Sequence, residues 1–167
     1  VDLRGDERTP RAEISDLVKT WDERVDERFG ARIGTVESDL RRKEPGQSSM
    51  GRWASDLVRL AAGADVGVYN RGGLREDLEA GDITLLDLYR VFPFGNEVVS
   101  FSWTGAQIEE VVRRSLGGEI GADPAPLQWS GIRYHWRIQD DKPTLVELYI
   151  GAAEVDAEAV YRVATNI

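Results

Sequence analysis

Segment 70–75, with the sequence NRGGLR, combines residue types that bind small polar ligands. It follows an apolar run at 66–69, which predicts a short buried strand, and its glycines allow the backbone to approach a ligand closely. The guanidinium of Arg75 can pair with a phosphate or a carboxylate at two points. The glycine spacing matches neither a Walker loop nor a dinucleotide fingerprint. On spacing alone, a tight turn with a surface arginine is the alternative.

Segment 92–96, with the sequence FPFGN, is a second candidate. Turns lie on protein surfaces, so a phenylalanine in a Pro-Phe-Gly-Asn turn is unusually placed for core packing. An exposed ring beside an amide can stack on a flat ligand and hydrogen-bond its edge; stacking on a base contributes ~1–3 kcal/mol. The alternative is that Phe92 and Phe94 both pack into the core.

Residues suited to catalysis or metal binding are scarce in this sequence. The chain has no cysteine and one histidine, His135, which excludes thiolate zinc sites and multi-histidine metal sites within the chain. His135 lies on the polar face of an alternating strand, where a solvated or locally bonded histidine is expected. The acidic pairs at 26–27 and 109–110 are adjacent on predicted helices and do not face each other. We therefore predict no catalytic residue and no metal ligand here.

Composition narrows the class of protein. The 167 residues include 30 acidic and 21 basic side chains, and the formal net charge of -9 is opposite in sign to that of a nucleic-acid binder. No apolar run approaches the ~20 residues that span a bilayer. The first residue is Val1 and no basic-then-apolar leader follows it, which predicts a mature product or an excised piece.

Apolar periodicity predicts four helices and six strands. Thr84 with Asp87, and Thr104 with Gln107, form predicted capping boxes, and Trp21 and Trp53 fall on helical stripes expected to face the core. The predicted class is α+β, with helices layered on a mixed or mostly antiparallel sheet. Predicted helices cover 12–29, 49–62, 84–91 and 104–116; predicted strands cover 33–40, 66–69, 98–103, 132–138, 145–150 and 161–165.

Several motifs together resemble one family. These are the Met-Gly-Arg of 50–52 with Asp56, segments 70–75 and 92–96, segment 81–84 between these two, and segment 104–107 after them. Their order and spacing are similar to the C-terminal domain of the 5'-nucleotidase family, which includes UDP-sugar hydrolases and cyclic-phosphodiesterase relatives. The similarity runs from Ala12 to the end of the chain. It implies a lead-in and linker helix over 1–30 and a nucleotide-recognition domain over 31–167.

The resemblance also implies that substrate recognition and hydrolysis are carried out by different domains. In that family a separate N-terminal metallophosphatase domain holds two divalent metal ions and hydrolyses the phosphate ester. The C-terminal domain binds the nucleoside part of a nucleotide and rotates to deliver the phosphate. This chain would then be the recognition half, with no cofactor of its own, acting beside an N-terminal domain in an extracytoplasmic location. A non-enzymatic ligand- or protein-binding module derived from that domain is the alternative.

The family's substrate contacts carry over where residues match. Arg75 matches an arginine that contacts substrate, and Asn70 matches a position that contacts base or ribose. Phe94 matches the aromatic residue that stacks on the base, and Asn96 matches a nearby polar contact. Gly73 and Gly95 belong to the same two motifs and complete the predicted substrate-binding set.

Two departures from the family pattern concern substrate contact. The family arginine before the Met-Gly pair has no clear counterpart in the stretch 44–49, and Arg41 or Arg42 is a possible replacement. The chain also stops at Ile167, near the point where the family's second aromatic and a Gly-Gly-Asp-Gly segment begin. The resemblance therefore implies a domain truncated at its C-terminus, in which Phe94 forms one side of the clamp.

Overall fold

The computed structural model describes residues 12–44, 46–117 and 127–167. The predicted lead-in, Pro45 and most of the predicted loop at 117–126 lie outside them. The helices are α1 (Ala12–Phe29), α2 (Ser49–Ala61), α3 (Leu85–Val91) and α4 (Gly105–Leu116). The strands are β1 (Arg32–Val36), β2 (Val66–Asn70), β3 (Gly81–Thr84), β4 (Val98–Thr104), β5 (Leu127–Ser130), β6 (Ile132–Gln139), β7 (Lys142–Ile150), β8 (Ala153–Glu154) and β9 (Val160–Asn166).

A four-stranded sheet with the order β4-β9-β2-β5 forms the centre of the fold. Strands β2 and β9 are parallel, and the other two pairs are antiparallel. Side chains of a strand alternate between faces, so Val66 and Val68 join the core beside α4, whereas Tyr69 joins the core beside α2. A mixed sheet between two helical layers confirms the predicted α+β class.

Helix α2 lies close to the sheet because two positions at the contact, Gly67 on β2 and Gly51 on α2, carry no side chain. A Cβ on Gly67 of β2 would lie 2.2 Å from the Ser55 carbonyl oxygen of α2. A Cβ on Gly51 would lie 2.1 Å from Oε1 of Gln128 on β5. That Oε1 accepts a 2.8 Å hydrogen bond from the Ser48 amide, just before the helix. The Met-Gly pair of the sequence motif thus permits a buried helix–sheet contact.

Two smaller sheets complete the fold. Strands β1 and β3 pair antiparallel, and β6, β7 and β8 form an antiparallel sheet that packs against α4. The β6–β7 hairpin turns through Asp140 and Asp141, whose φ angles of 51° and 60° are those of a type I′ turn. A bulge opposite His135 and Trp136 shifts the β7 register, which lets Leu145 and Leu148 both face the core.

Local helix signals are confirmed by the structure. The capping boxes of Thr84 with Asp87 and of Thr104 with Gln107 are both formed at the first turns of α3 and α4. Ser48 caps α2 by accepting a hydrogen bond from the Gly51 amide at 3.0 Å. Each cap satisfies backbone donors that a helix start would otherwise leave unpaired.

Five predictions about elements were wrong. Strand β1 ends at Val36, and Leu40 makes an isolated bridge to Leu78, so the predicted strand over 33–40 is shorter. Strands β3 and β5, each four residues long, and the two-residue β8 were not predicted, because such short segments show little periodicity. Trp21 is 56% exposed and not in the core. Among the described elements, α1 packs mainly on α3, where Phe29 meets Tyr89 edge-on at 5.0 Å.

None of the described helices is long and apolar enough to span a membrane.

We expect Gly51→Ala to lower the free energy of unfolding by about 1–3 kcal/mol, the usual cost of overpacking a buried contact. The added methyl group meets Gln128, which is fully buried and held by Ser48. Urea unfolding measures the change. Gly72→Ala is the matched control, since a Cβ there has no atom within 4 Å. Equal unfolding midpoints for the two variants would show that the α2–β5 contact tolerates the methyl group.

Candidate functional site

A backbone hydrogen bond holds segment 70–75 against the end of α3. Asn70 ends β2 and caps the 3-10 turn Arg71–Gly73, its Oδ1 accepting a 3.2 Å hydrogen bond from the Gly73 amide. Leu74 is then buried, and the Arg75 amide donates to the Val91 carbonyl at 3.0 Å. A Cβ on Gly73 would lie 2.5 Å from Asn70 Oδ1, which explains the glycine there. The side chain of Arg75 is left exposed beside the turn that follows α3.

The turn at 92–96 separates its two phenylalanines. Phe92 packs against Trp53 and Tyr69, with ring centroids 5.9 and 5.8 Å apart. Phe94 is 58% exposed, and the backbone reverses at Gly95 with a φ of +61°. The alternative in which both rings enter the core therefore holds for Phe92 and fails for Phe94.

Arg75 and Phe94 meet although 18 residues separate them in the sequence. The guanidinium carbon of Arg75 lies 5.7 Å from the centroid of the Phe94 ring. This distance is within the ~6 Å range of a cation–π contact. The backbone bond from Arg75 to Val91 holds the two segments together, so the contact follows from the fold and not from side-chain length alone.

A cavity of about 210 Å³ opens beside this contact. Phe94, Gly95 and Asn96 line it from the turn, and Tyr69 and Asn166 line it from the ends of β2 and β9. Three predicted site residues thus line the cavity. Arg75 does not line it but contacts Phe94, which does. Asn70 and Gly73 do not line the cavity; a Cβ on Gly73 would lie 3.0 Å from Cε1 of the Tyr69 ring. The role of all six residues in binding stays a prediction.

Sequence reasoning missed Tyr69, which it treated as the last residue of a buried strand. The residue is 5% exposed, yet its ring lines the cavity and also contacts Gly73 and Phe92. Burial raises the pKa of the Tyr69 hydroxyl above its usual value. The residue type was the available signal in the sequence. A tyrosine near the end of a buried strand carries a hydroxyl, and a residue that only packs in the core does not require one.

Arg41 and Arg42 are both engaged with acidic side chains. Arg41 pairs with Glu79 at 2.7 Å and with Asp39, and the Ala80 amide together with Arg41 holds the pKa of Asp39 below its usual value. Arg42 pairs with Asp77 at 3.3 Å and donates to the Leu74 carbonyl at 3.0 Å. These bonds tie the loop before α2 to the segment that carries Arg75. Neither arginine lines the cavity beside Phe94.

A larger cavity of about 910 Å³ lies between the start of α2 and the β6–β7 hairpin. Its acidic groups are already used inside the protein: Asp56 pairs with Arg59 at 3.2 Å, and Glu44 accepts a hydrogen bond from the Ser49 amide. None of the six predicted site residues lines it. Trp136, 51% exposed, is its most accessible aromatic ring. The smaller cavity is therefore the candidate site. The larger cavity is the alternative site, and Trp136 is its accessible aromatic residue.

The residues that the structure describes do not form a metal centre. Within 12–44, 46–117 and 127–167, no three His, Cys, Asp or Glu side chains are grouped so as to hold a metal ion. His135, the single histidine, lies on the exposed face of β6 and bonds Glu147 through Nδ1 at 2.8 Å. This is the local partner expected for it, and the bond holds the pKa of Glu147 below its usual value.

Together, the mixed sheet, its helical layers and the small cavity at the end of β2 define an α+β domain with a surface pocket and, among the residues described, no metal-binding cluster. Sequence comparison identifies the family to which this domain belongs. The chain belongs to the 5'-nucleotidase C-terminal domain family, whose model matches residues 31–167.

Individual relatives agree with this membership. The trifunctional nucleotide phosphoesterase protein YfkN of Bacillus subtilis is 33% identical over 131 residues, covering 72% of this chain and 9% of YfkN. A 5'-nucleotidase of Vibrio parahaemolyticus is 30% identical over 161 residues, covering 94% of this chain and 28% of that protein. This chain therefore spans less than a third of the length of these relatives.

A solved structure supports the fold. The crystal structure of the 5'-nucleotidase precursor from Thermus thermophilus superposes with a TM-score of 0.74 and 24% identity. The match covers 92% of this chain and 32% of that one.

The capping box of α3 begins the helix that leads into the turn at 92–96, and its acidic member, Asp87, gives a pH-dependent test. The Thr84 hydroxyl and amide donate to Asp87 at 2.7 and 2.8 Å and hold the pKa of Asp87 below its usual value of 3.8. A carboxylate with a lowered pKa stabilises the fold above the unfolded pKa, and that stabilisation is lost as the pH falls through the folded pKa.

We therefore expect Asp87→Ala to lower the free energy of unfolding at pH 7 by about 0.5–1 kcal/mol, as for a charge at a helix start. The difference in the free energy of unfolding between the variant and the parent chain should become smaller as the pH falls below 3.8, the usual pKa of an aspartate. Urea unfolding at several pH values measures it. Glu37→Ala, at an exposed position away from α3, is the control. A difference that stays constant down to the lowest pH would contradict the assigned role of the carboxylate.

Proposed function

We propose that this chain is a nucleoside-recognition domain in which the exposed Phe94 ring stacks on the base of a nucleotide. The observation that carries the proposal is the pairing of that ring with Arg75 at the rim of a cavity. Base–aromatic stacking contributes ~1–3 kcal/mol per base, which requires an accessible ring. Phe94 has one, whereas Phe92 and Tyr69 are packed beneath it.

Arg75 supplies the charge that such a ligand needs. A guanidinium binds phosphate oxygens or ribose hydroxyls through several fixed donors, and its flat face also packs on an aromatic ring. In this structure Arg75 contacts the ring of Phe94 and forms no ion pair within the part of the chain described. The exposed amide side chain of Asn96 adds polar atoms at the rim.

Hydrolysis is assigned to another part of the protein. The relatives YfkN and the Vibrio enzyme are named for action on nucleotides, and both are more than three times as long as the region they share with this chain. Two divalent ions in a separate N-terminal metallophosphatase domain, and an extracytoplasmic location, complete the proposal; the family resemblance supports both. No step through metal ions is drawn with the residues of this chain.

A ligand- or protein-binding module without enzymatic partner is the second candidate. The exposed apolar stripe of α1 favours it, since Leu17, Val18 and Trp21 are each more than half exposed. A recognition domain that belongs to a larger enzyme would present the same stripe to the rest of its chain. Nucleoside binding distinguishes the two candidates, because a module that no longer serves an enzyme would keep the apolar stripe of α1 but would not bind a nucleoside.

Calorimetric titration of the chain with adenosine, AMP and UMP tests the proposal. We expect Phe94→Ala to weaken binding about 5- to 150-fold, the equivalent of the ~1–3 kcal/mol of one stacking contact. Trp136→Ala removes a similarly exposed ring from the larger cavity and should leave binding unchanged. Loss of binding in the tryptophan variant alone would move the site to the larger cavity. Absence of binding by the parent chain would favour the second candidate.

We also expect the isolated chain to release no phosphate from AMP in the presence of Mn²⁺ or Zn²⁺, because the residues described hold no cluster suited to a metal ion. A colorimetric phosphate assay measures the release, with a complete 5'-nucleotidase as the positive control. Metal-dependent turnover by the chain alone, retained after repeated purification, would show that catalysis does not need a second domain.

A further inference from the structure

The peptide unit that joins Leu74 to Arg75 is hydrogen-bonded at both of its polar groups. Its amide, on Arg75, donates to the Val91 carbonyl at 3.0 Å, and its carbonyl, on Leu74, accepts from Nη1 of Arg42 at 3.0 Å. One bond is made with the end of α3 and the other with the loop before α2. A fixed peptide plane restricts the backbone angles on either side of it, and with them the direction in which the Arg75 side chain leaves the chain.

Arg42 is itself held in place by Asp77. Oδ1 of Asp77 accepts from the Arg42 amide at 2.8 Å and from the Arg42 Nε at 3.3 Å. The guanidinium is a planar group with fixed donors, so its Nε can bind the carboxylate while its Nη1 binds the Leu74 carbonyl. Arg42 therefore contacts the chain on both sides of Arg75, at positions 74 and 77.

We infer that Arg42 is a positioning residue for Arg75. It does not line the cavity beside Phe94, whereas the guanidinium carbon of Arg75 lies 5.7 Å from the Phe94 ring. By fixing the peptide unit before Arg75, Arg42 keeps that guanidinium where it meets the phosphate of a nucleotide stacked on Phe94. This inference rests on the proposed function, since it requires Arg75 to contact the ligand.

Arg41 provides a matched comparison on the same loop. Its guanidinium pairs with Glu79 at 2.7 Å and with Asp77 at 3.7 Å, and it also bonds Asp39. Among the residues described, none of its side-chain bonds is made with the Leu74 carbonyl. The two neighbouring arginines thus share acidic partners, and the bond to the peptide unit before Arg75 distinguishes Arg42.

The test is a double-mutant cycle of Arg42→Ala and Arg75→Ala, with the dissociation constants of AMP and adenosine measured by calorimetry. We expect Arg42→Ala to weaken AMP binding about 3- to 10-fold, the effect of one hydrogen bond, and to leave adenosine binding unchanged. In the Arg75→Ala background the same substitution should have no further effect on AMP, because the group that it positions is gone. Arg41→Ala is the control and should bind both ligands like the parent chain.

Arg42→Lys provides a second variant that keeps the charge and one donor group. It should lose less AMP affinity than Arg42→Ala, since an ammonium can bind the carbonyl or the carboxylate but lacks the planar fork that binds both.

An AMP loss that persists in the Arg75→Ala background, an equal loss for adenosine, or a similar loss in Arg41→Ala would each overturn the inference while leaving Phe94 stacking intact. If Arg75→Ala binds AMP like the parent chain, or the parent chain binds neither ligand, the role proposed for Arg75 and this inference fail together.

Discussion

The close approach of α2 to the central sheet is the constraint on which the candidate site depends. Gly67 and Gly51 leave no room for a Cβ, and the buried Ser48–Gln128 hydrogen bond fixes the start of the helix. With α2 held there, Met50, Ala54 and Val58 cover the face of the sheet from which Tyr69 projects. Ala54 and Val58 also line the small cavity, together with Tyr69. The pocket is thus a consequence of how the layers meet.

Hydrogen bonds to the backbone, from one backbone amide and two side chains, bring the two halves of the site together. Asn70 closes the 3-10 turn, the Arg75 amide bonds to the last residue of α3, and Arg42 holds the Leu74 carbonyl. These bonds fix the backbone beside Arg75 while its side chain stays exposed. Such an arrangement positions a binding group at low entropic cost, because the flexible part is limited to one side chain.

Local signals in the sequence predicted more of this molecule than non-local ones. Both capping boxes were predicted correctly, since each depends on residues three apart. Strand β1 was placed too long and β3 was missed, because their pairing joins segments about 50 residues apart and neither has a regular apolar pattern. The periodicity of α1 identified an apolar face but not what covers it, so Trp21 was misplaced. Tyr69 was assigned only to a buried strand, because core packing and the lining of a cavity give the same apolar strand pattern.

The size of the cavity bears on why recognition and hydrolysis would reside in separate domains. At about 210 Å³ it is smaller than the ~300–1,000 Å³ of most small-molecule sites, so it suits the flat part of a nucleotide and not the whole ligand. A base on Phe94 would leave its sugar and phosphate outside, beside the exposed guanidinium of Arg75. A phosphate held in this way keeps one side accessible, which is what a catalytic domain with its own metal ions would need in order to reach it.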